Sequence, residues 1–203
     1  ILQGIRDVWA SPYTERSFRW RQLFLDNPEN VFPSILVIPS VDVDYSGVMI
    51  TTGINSGNSK DLTIAFSRGA GGAVDGQSAE AYELQFEGKK QLIAPAREPL
   101  YNGLPLTGGT IKKMATFEKA ILNEQNIKEI RELATNVRQK MAKEVNAEYK
   151  GAYDVELGFK DDKLWLFQIR PFVENKKALS SGYLESITPK IDKNKEVLLS
   201  KKI

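Results

Sequence analysis

The chain has 203 residues, of which 41% are hydrophobic and 27% charged, and its formal net charge is +2. This composition suffices for one large domain or two small lobes with an apolar core, and the near-neutral charge argues against a nucleic-acid partner. The absence of cysteine and histidine excludes disulfides, thiolate metal sites, imidazole bases and phosphohistidine from this segment.

The first 26 residues predict two short helices, because their apolar positions follow helical spacing and are interrupted at Ser11-Pro12. The chain begins with Ile1 and lacks a signal-peptide pattern, so we expect a piece of a longer, cytoplasmic polypeptide. No apolar run approaches the ~20 residues of a membrane-spanning helix, and we expect no membrane partner.

The region from Val31 to about Ile93 is rich in β-branched and aromatic residues and predicts a mixed or antiparallel sheet. Turn residues separate four predicted strands, which cover residues 35–38, 47–52, 62–66 and 82–86. A connection rich in proline and glycine, without a clear period, follows from Ala94 to Gly109.

The remainder of the chain predicts a long helix, a β-hairpin over residues 152–172 and a lysine-rich tail from about Lys176. The helix is indicated by an apolar stripe at helical spacing, made of Ile127, Ile130, Ala134, Val137, Met141 and Val145. We find no internal repeat. The predicted elements together give an α+β fold.

The hairpin sequence AYDVELGFKDDKLWLFQIRPF places polar residues inside two otherwise apolar strands. Strand alternation puts Asp154 and Glu156 on one face of the first strand. In the second strand it puts Gln168 and Arg170 on one face with Leu164 and Leu166, opposite Trp165, Phe167 and Ile169.

The turn decides whether these polar faces coincide. An odd-length connection with a bulge would pair even positions with even positions. A two-residue turn at Asp161-Asp162 would instead pair Glu156 with Phe167, which would weaken the hypothesis of a shared site.

If the faces coincide, the hairpin offers oxygen ligands beside a guanidinium. Oxygen ligands from Asp154, Glu156 and Gln168 suit Mg²⁺, which often binds together with substrate phosphates. Arg170 is of the residue type that stabilises a phosphoryl group during transfer. The alternative is an ordinary cross-strand ion pair on a half-exposed sheet face, and spacing alone leaves both open.

A glycine-rich segment at Gly69, Gly71, Gly72 and Gly76 could let backbone N–H groups approach phosphates. A flexible connection between strands is equally consistent with this composition.

The hairpin resembles the signature that closes the ATP-binding domain of phosphoenolpyruvate synthase and pyruvate phosphate dikinase, an Asp-x-Glu strand followed by Gln-x-Arg-Pro. Three further stretches resemble the same family in the same order along the chain. They are VWASPYTERSFRWR (8–21), SGVMITTG (46–53) and GAGGAVDGQSAEAY (69–82). The resemblance covers about residues 4 to 174.

The resemblance implies an ATP-grasp fold, with residues 1–175 as its C-terminal lobe and residues 176–203 as a tail or linker. It implies ATP and Mg²⁺ as ligands, and a phosphate relay from ATP to a histidine and then to pyruvate. The phosphohistidine and pyruvate-binding domains would be other parts of the same polypeptide, so this fragment alone is expected to be inactive. The implied residues are Asp154, Glu156 and Gln168 for the metal, Gly69, Gly71, Gly72, Asp154 and Arg170 for the nucleotide, and Arg170 for catalysis.

Departures from the family pattern support an alternative, a degenerate ATP-grasp domain with a regulatory or scaffolding role. Gly72 stands where the family's loop usually has an acid, and Gly53-Ile54 replaces its usual Asp-Pro. Ile38-Pro-Ser-Val41 stands where members often carry Gln and Met beside the adenine. The family's Lys and Val-Arg-Ser-Ser motif of the other ATP lobe do not occur in this chain.

Overall fold

The computed structural model describes residues 1–73, 78–144 and 151–173. It divides into two compact units, Ile1–Asp42 and a second unit that begins at Val43, and the α+β class is confirmed. Gly76, Val145 and the predicted tail over 176–203 lie outside the described residues. The boundary expected near residue 175 therefore stays a prediction.

The first unit contains both predicted helices, α1 (Leu2–Ala10) and α2 (Glu15–Gln22), joined by a 3₁₀ turn at Ser11–Tyr13. Across residues 1–42, all of which are described, the one buried side chain is that of Arg21. Its guanidinium lies 5.4 Å from the ring centroids of both Tyr13 and Phe18.

The prediction of a strand over residues 35–38 is wrong. This segment pairs with no strand in the described part of the chain, and Leu36, Val37 and Ile38 are exposed. Pro33 and Pro39 bracket the segment and lack the N–H groups that a ladder needs. Apolar residues of high β-propensity were therefore not enough to form a strand where no partner strand lies beside them in the described structure.

The second unit is built on a six-stranded antiparallel sheet in the order β4-β3-β2-β1-β7-β8. Its strands are β1 (Tyr45–Ile50), β2 (Leu62–Arg68), β3 (Glu80–Leu84), β4 (Lys90–Ala94), β7 (Tyr153–Lys160) and β8 (Lys163–Pro171). A separate hairpin pairs β5 (Leu100–Gly103) with β6 (Ile111–Met114). Three of the predicted strands appear as β1, β2 and β3, but β4 was not predicted. The hairpin β5–β6 corrects the expectation of a connection without strands over 94–109.

The core lies between one face of this sheet and the long helix α3 (Glu124–Glu144). Alternation on β7 buries Tyr153, Val155, Leu157 and Phe159 to 4% exposure or less. The apolar stripe of α3 packs against them through Ile127, Ile130, Ala134 and Val137. The opposite face of the sheet, called the open face below, carries Val48, Ile50, Asp154, Glu156 and Gly158.

Tyr82 in β3 makes the stability of the fold depend on pH in the alkaline range. Its hydroxyl donates a hydrogen bond of 2.9 Å to Glu80, and burial and this carboxylate raise the pKa of Tyr82 to about 12. Because folding favours the neutral phenol, its stabilising contribution is complete below pH ~10 and is lost as the pH rises towards about 12.

We expect the free energy of unfolding, measured with denaturant, to fall between pH ~10 and ~12, and to fall less steeply in Tyr82→Phe. Equal slopes for the Tyr82→Phe variant and the wild type would contradict the assignment.

Candidate functional site

A β-bulge in the terminal hairpin brings the predicted site residues together. The turn is the two-residue Asp161-Asp162, with φ of 50° and 57°, the positive values that a type I′ turn requires. From the turn, residues pair regularly as far as Leu157 with Leu166. The register then shifts, so that Glu156 pairs with Gln168 and Asp154 with Arg170.

Phe167 is the extra residue of this bulge. The two-residue turn alone would have paired Glu156 with Phe167, and the bulge restores the pairing of even positions. The predicted faces of β8 are corrected near the turn. Leu164 and Leu166 lie opposite Phe159 and Leu157 on the core face, while Trp165 lies opposite Gly158 on the open face.

Arg170 forms an ion pair with Asp154. Its Nε and Nη2 lie 2.8 Å and 2.7 Å from the same oxygen, Oδ2, and this hydrogen bond raises the pKa of Arg170 above its usual value. Nη2 also lies 3.8 Å from Glu156 Oε1. Asp154 Oδ1 is buried and finds no hydrogen-bond partner among the described residues.

The donor set on this face fits a hard cation. Two carboxylates and an amide share the face, and one carboxylate oxygen is buried without a partner. Within residues 1–73, 78–144 and 151–173, no cluster of three or more acidic, histidine or cysteine side chains is arranged around a metal position. Asp154, Glu156 and Gln168 could therefore hold Mg²⁺ only if other ligands complete the shell, as phosphates and water usually do.

The tip of the hairpin is fastened to β1 and to the start of α3. Asp44 accepts hydrogen bonds from the Asp161 N–H at 2.7 Å and the Lys160 ammonium at 3.1 Å. The Tyr45 hydroxyl lies 3.3 Å from Asp162 Oδ1 and 3.0 Å from Asn126 Oδ1, and burial and Asp162 raise the pKa of Tyr45 to about 12. These contacts hold the turn, and thereby the register that places Arg170.

The glycine-rich loop uses its first amides within the protein. The N–H groups of Gly69 and Ala70 donate to the carbonyls of Asp44 and Asn102 at 2.8 Å and 3.0 Å. Ser46 Oγ donates to the Gly69 carbonyl at 2.7 Å and accepts from the Gly71 N–H at 3.1 Å. Ser46, which pattern reading did not single out, thus anchors this loop on the open face, opposite Gly158.

Gly69 has a structural reason to be glycine. Its φ is +70°, and a Cβ would collide with the Asn102 carbonyl and lie 2.6 Å from the Tyr101 ring. The hairpin β5–β6 packs directly against this loop as a result. Gly72 is buried in the turn that follows, and the predicted roles of Gly69, Gly71 and Gly72 at the nucleotide stay predictions.

We expect Gly69→Ala to destabilise the protein by about 2 kcal/mol more than Gly57→Ala, because of the added steric clash. Gly57 is the matched control, since its φ is +67° but a Cβ there would meet nothing within 4 Å. Both variants carry the left-handed backbone cost of about 1–2 kcal/mol. Equal losses in denaturant unfolding would refute the packing role.

The loop after β1 has no room for a side chain at Gly53, where the family pattern usually has aspartate. A side chain at Gly53 would collide with Ser56 Oγ and approach Asp61 Cβ to 2.9 Å. The buried Glu83 carboxylate, reaching from β3, accepts hydrogen bonds from the N–H groups of Asn55 and Ser56 at 3.0 Å and 3.2 Å. The Glu83 carboxylate thus holds this loop, which has no room for an aspartate at position 53.

Comparison with known proteins agrees with this architecture. Residues 1–188 match the model of the pyruvate phosphate dikinase AMP/ATP-binding domain. The chain therefore belongs to this family, and the ATP-grasp-type fold expected from the sequence is confirmed. The ligand that the family implies is an adenine nucleotide.

Several curated proteins are similar to the chain. A phosphoenolpyruvate synthase from Pyrococcus furiosus is 26% identical over 92% of this chain and 24% of its own length. A rifampicin phosphotransferase from Bacillus cereus is 28% identical over 84% of the chain and 19% of its own length. A probable phosphoenolpyruvate synthase from Pyrococcus horikoshii is also 28% identical over 84% of the chain. The chain spans about a fifth to a quarter of the length of these relatives.

None of the helices in the described part of the chain is long and apolar enough to cross a membrane.

Proposed function

We propose that the chain is the ATP- and Mg²⁺-binding part of a phosphotransferase of the phosphoenolpyruvate synthase type. ATP would transfer its β- and γ-phosphates together to a histidine on another domain of the same polypeptide and leave as AMP. Water would then release the outer phosphate as inorganic phosphate, and pyruvate would receive the inner one. The observation that carries the proposal is the bulge at Phe167, because it sets Gln168 and Arg170 directly across from Glu156 and Asp154.

This arrangement is more than the ion pair of a half-exposed sheet. An Asp154–Arg170 pair alone needs neither Glu156 nor Gln168, and it leaves a buried carboxylate oxygen without a partner in the described structure. Leaving such an acceptor unsatisfied costs about 1–3 kcal/mol. A site that binds a cation removes this cost when it is occupied.

Each residue has a distinct part in the proposed reaction. Asp154 and Glu156 supply anionic oxygens, and Gln168 supplies an amide oxygen beside them. Arg170, with its side chain 55% exposed, can turn its guanidinium from Asp154 to a phosphate and donate two hydrogen bonds to it. When bound, Mg²⁺ supplies neutralisation of the charge on the phosphate oxygens.

A second candidate is a degenerate domain without catalytic activity, and the glycine-rich loop favours it. The N–H groups of Gly69, Ala70 and Gly71 already have partners within the protein, so they would have to exchange them to bind phosphate. Gly72 also stands in place of the family's usual acid. We rank catalysis first because all four polar groups of the hairpin lie on one face.

The final acceptor is a separate part of the proposal. The similarity to a rifampicin phosphotransferase makes an antibiotic such as rifampicin an alternative acceptor to pyruvate. Phosphorus NMR of the full-length protein with Mg·ATP, with and without pyruvate, tests the proposal. AMP and phosphoenolpyruvate would support it, AMP without phosphoenolpyruvate would redirect it to another acceptor, and unchanged ATP would favour the degenerate domain.

A further inference from the structure

We propose that Phe167, the extra residue of the bulge, is the platform on which the base of the bound nucleotide stacks. The inference rests on the proposed function and adds a residue to it that determines base binding. The bulge keeps the Phe167 side chain on the open face beside Gln168, the next residue in the chain.

The ring of Phe167 lies over Gly158 on the open face. A Cβ built at Gly158 would be 3.0 Å from Phe167 Cε2 and 3.0 Å from Val43 Cγ1. Since Gly158 follows Asp154 and Glu156 at even positions of β7, its missing side chain would stand on their face. Glycine at this position therefore leaves room for Phe167 and Val43 to pack against the backbone.

The two aromatic residues of β8 on this face differ from core side chains in their exposure. Val43 is 4% exposed, whereas Phe167 remains 45% exposed and Trp165, directly opposite Gly158, 39%. Phe167 thus packs on one side and remains accessible on the other. A flat, weakly hydrated base is a suitable partner for an accessible aromatic ring.

The distance along β7 suits a nucleotide lying on the strand. Gly158 is two residues from Glu156 and four from Asp154, which corresponds to about 7 Å and about 13 Å at the usual strand rise. With the phosphates at Asp154 and Arg170, the sugar would pass Glu156 and the base would reach Phe167. The Ser46-anchored glycine-rich loop borders this path, because Ser46 pairs with Gly158.

Binding of Mg·ATP and Mg·tripolyphosphate to the full-length protein, measured by calorimetry, tests the platform. Phe167→Ala should weaken Mg·ATP binding about ten-fold and leave tripolyphosphate binding, which involves no base, unchanged. Phe167→Leu, which keeps apolar volume, should also weaken Mg·ATP binding, and Phe167→Trp should retain it. Arg170→Gln should weaken the binding of both ligands.

The outcomes separate the platform from the proposed function. Wild-type Mg·ATP affinity in both Phe167→Ala and Phe167→Leu, with a loss in Arg170→Gln, would overturn the platform and keep the proposed function. Equal losses for Mg·ATP and tripolyphosphate in Phe167→Ala would show a packing role and also overturn it. If the wild-type protein bound neither ligand, the proposed function itself would fail.

Discussion

Replacing Arg170 with glutamine is expected to lower ATP turnover by the full-length protein about 10³-fold, the usual loss when a charge that stabilises a transferring phosphoryl group is removed. The same change should strengthen Mn²⁺ binding in the absence of nucleotide. Arg170 occupies Asp154 Oδ2 at 2.7–2.8 Å and competes with a cation for this carboxylate. Turnover assays and electron paramagnetic resonance of bound Mn²⁺ measure the two effects.

The opposite directions of these effects make the prediction specific. Lys163→Gln is the matched control, because it removes an exposed cation from the same strand and should change neither quantity. Loss of turnover with weaker Mn²⁺ binding would indicate a general disruption of the hairpin. Unchanged turnover in Arg170→Gln would make the ion pair structural and the site assignment wrong.

Replacing Glu156 with glutamine is expected to raise the Mg²⁺ concentration needed for half-maximal turnover at least about ten-fold, since a charged metal ligand becomes neutral. The side chain keeps its size at a half-buried position and still faces Gln168, so we expect little loss of stability. The measurement is a Mg²⁺ titration of ATP turnover at saturating nucleotide.

The control for Glu156 is Asp161→Asn in the turn of the same hairpin. Asp161 is exposed with a φ of 50°, a conformation that asparagine also tolerates. This variant should keep the wild-type Mg²⁺ dependence. A Glu156→Gln protein with the same Mg²⁺ requirement as the control would remove Glu156 from the metal site.

Pattern reading identified the polar residues of the hairpin, but it could not determine their pairing. Alternation within a strand is a local property, so the period of two places Asp154 and Glu156 on one face. The relation between β7 and β8 depended on a turn and a bulge that have no period. Phe167 looked like one more apolar residue in an apolar strand.

The errors in the strand prediction have a related cause. The segment 35–38 has strong β-formers but pairs with no strand among the described residues, whereas Leu100–Gly103 contains Asn and Gly yet pairs with Ile111–Met114. Pairing in the second case is supported by the glycine-rich loop, where Gly69 packs against Asn102 and Tyr101. Contacts between distant segments decided both cases, and a single sequence does not reveal them.

The family resemblance selected the same residues for a different reason. Asp154, Glu156, Gln168 and Arg170 were matched by their order and spacing, which the bulge does not alter. The packing role of Gly69 and the anchoring by Ser46 could be recognised only from geometry. A serine at the start of a strand gives no signal that its hydroxyl binds two groups of a loop 23 residues away.

The register of this hairpin depends on where an added residue is accommodated. If an insertion at Asp161-Asp162 kept a two-residue turn, the strands would slip by one residue, and Gln168 and Arg170 would move to the core face. If the turn lengthened to three residues instead, all four polar residues would keep their partners. Insertions at this turn should therefore persist in evolution only as longer loops, so hairpins of unequal turn length can present the same four polar residues.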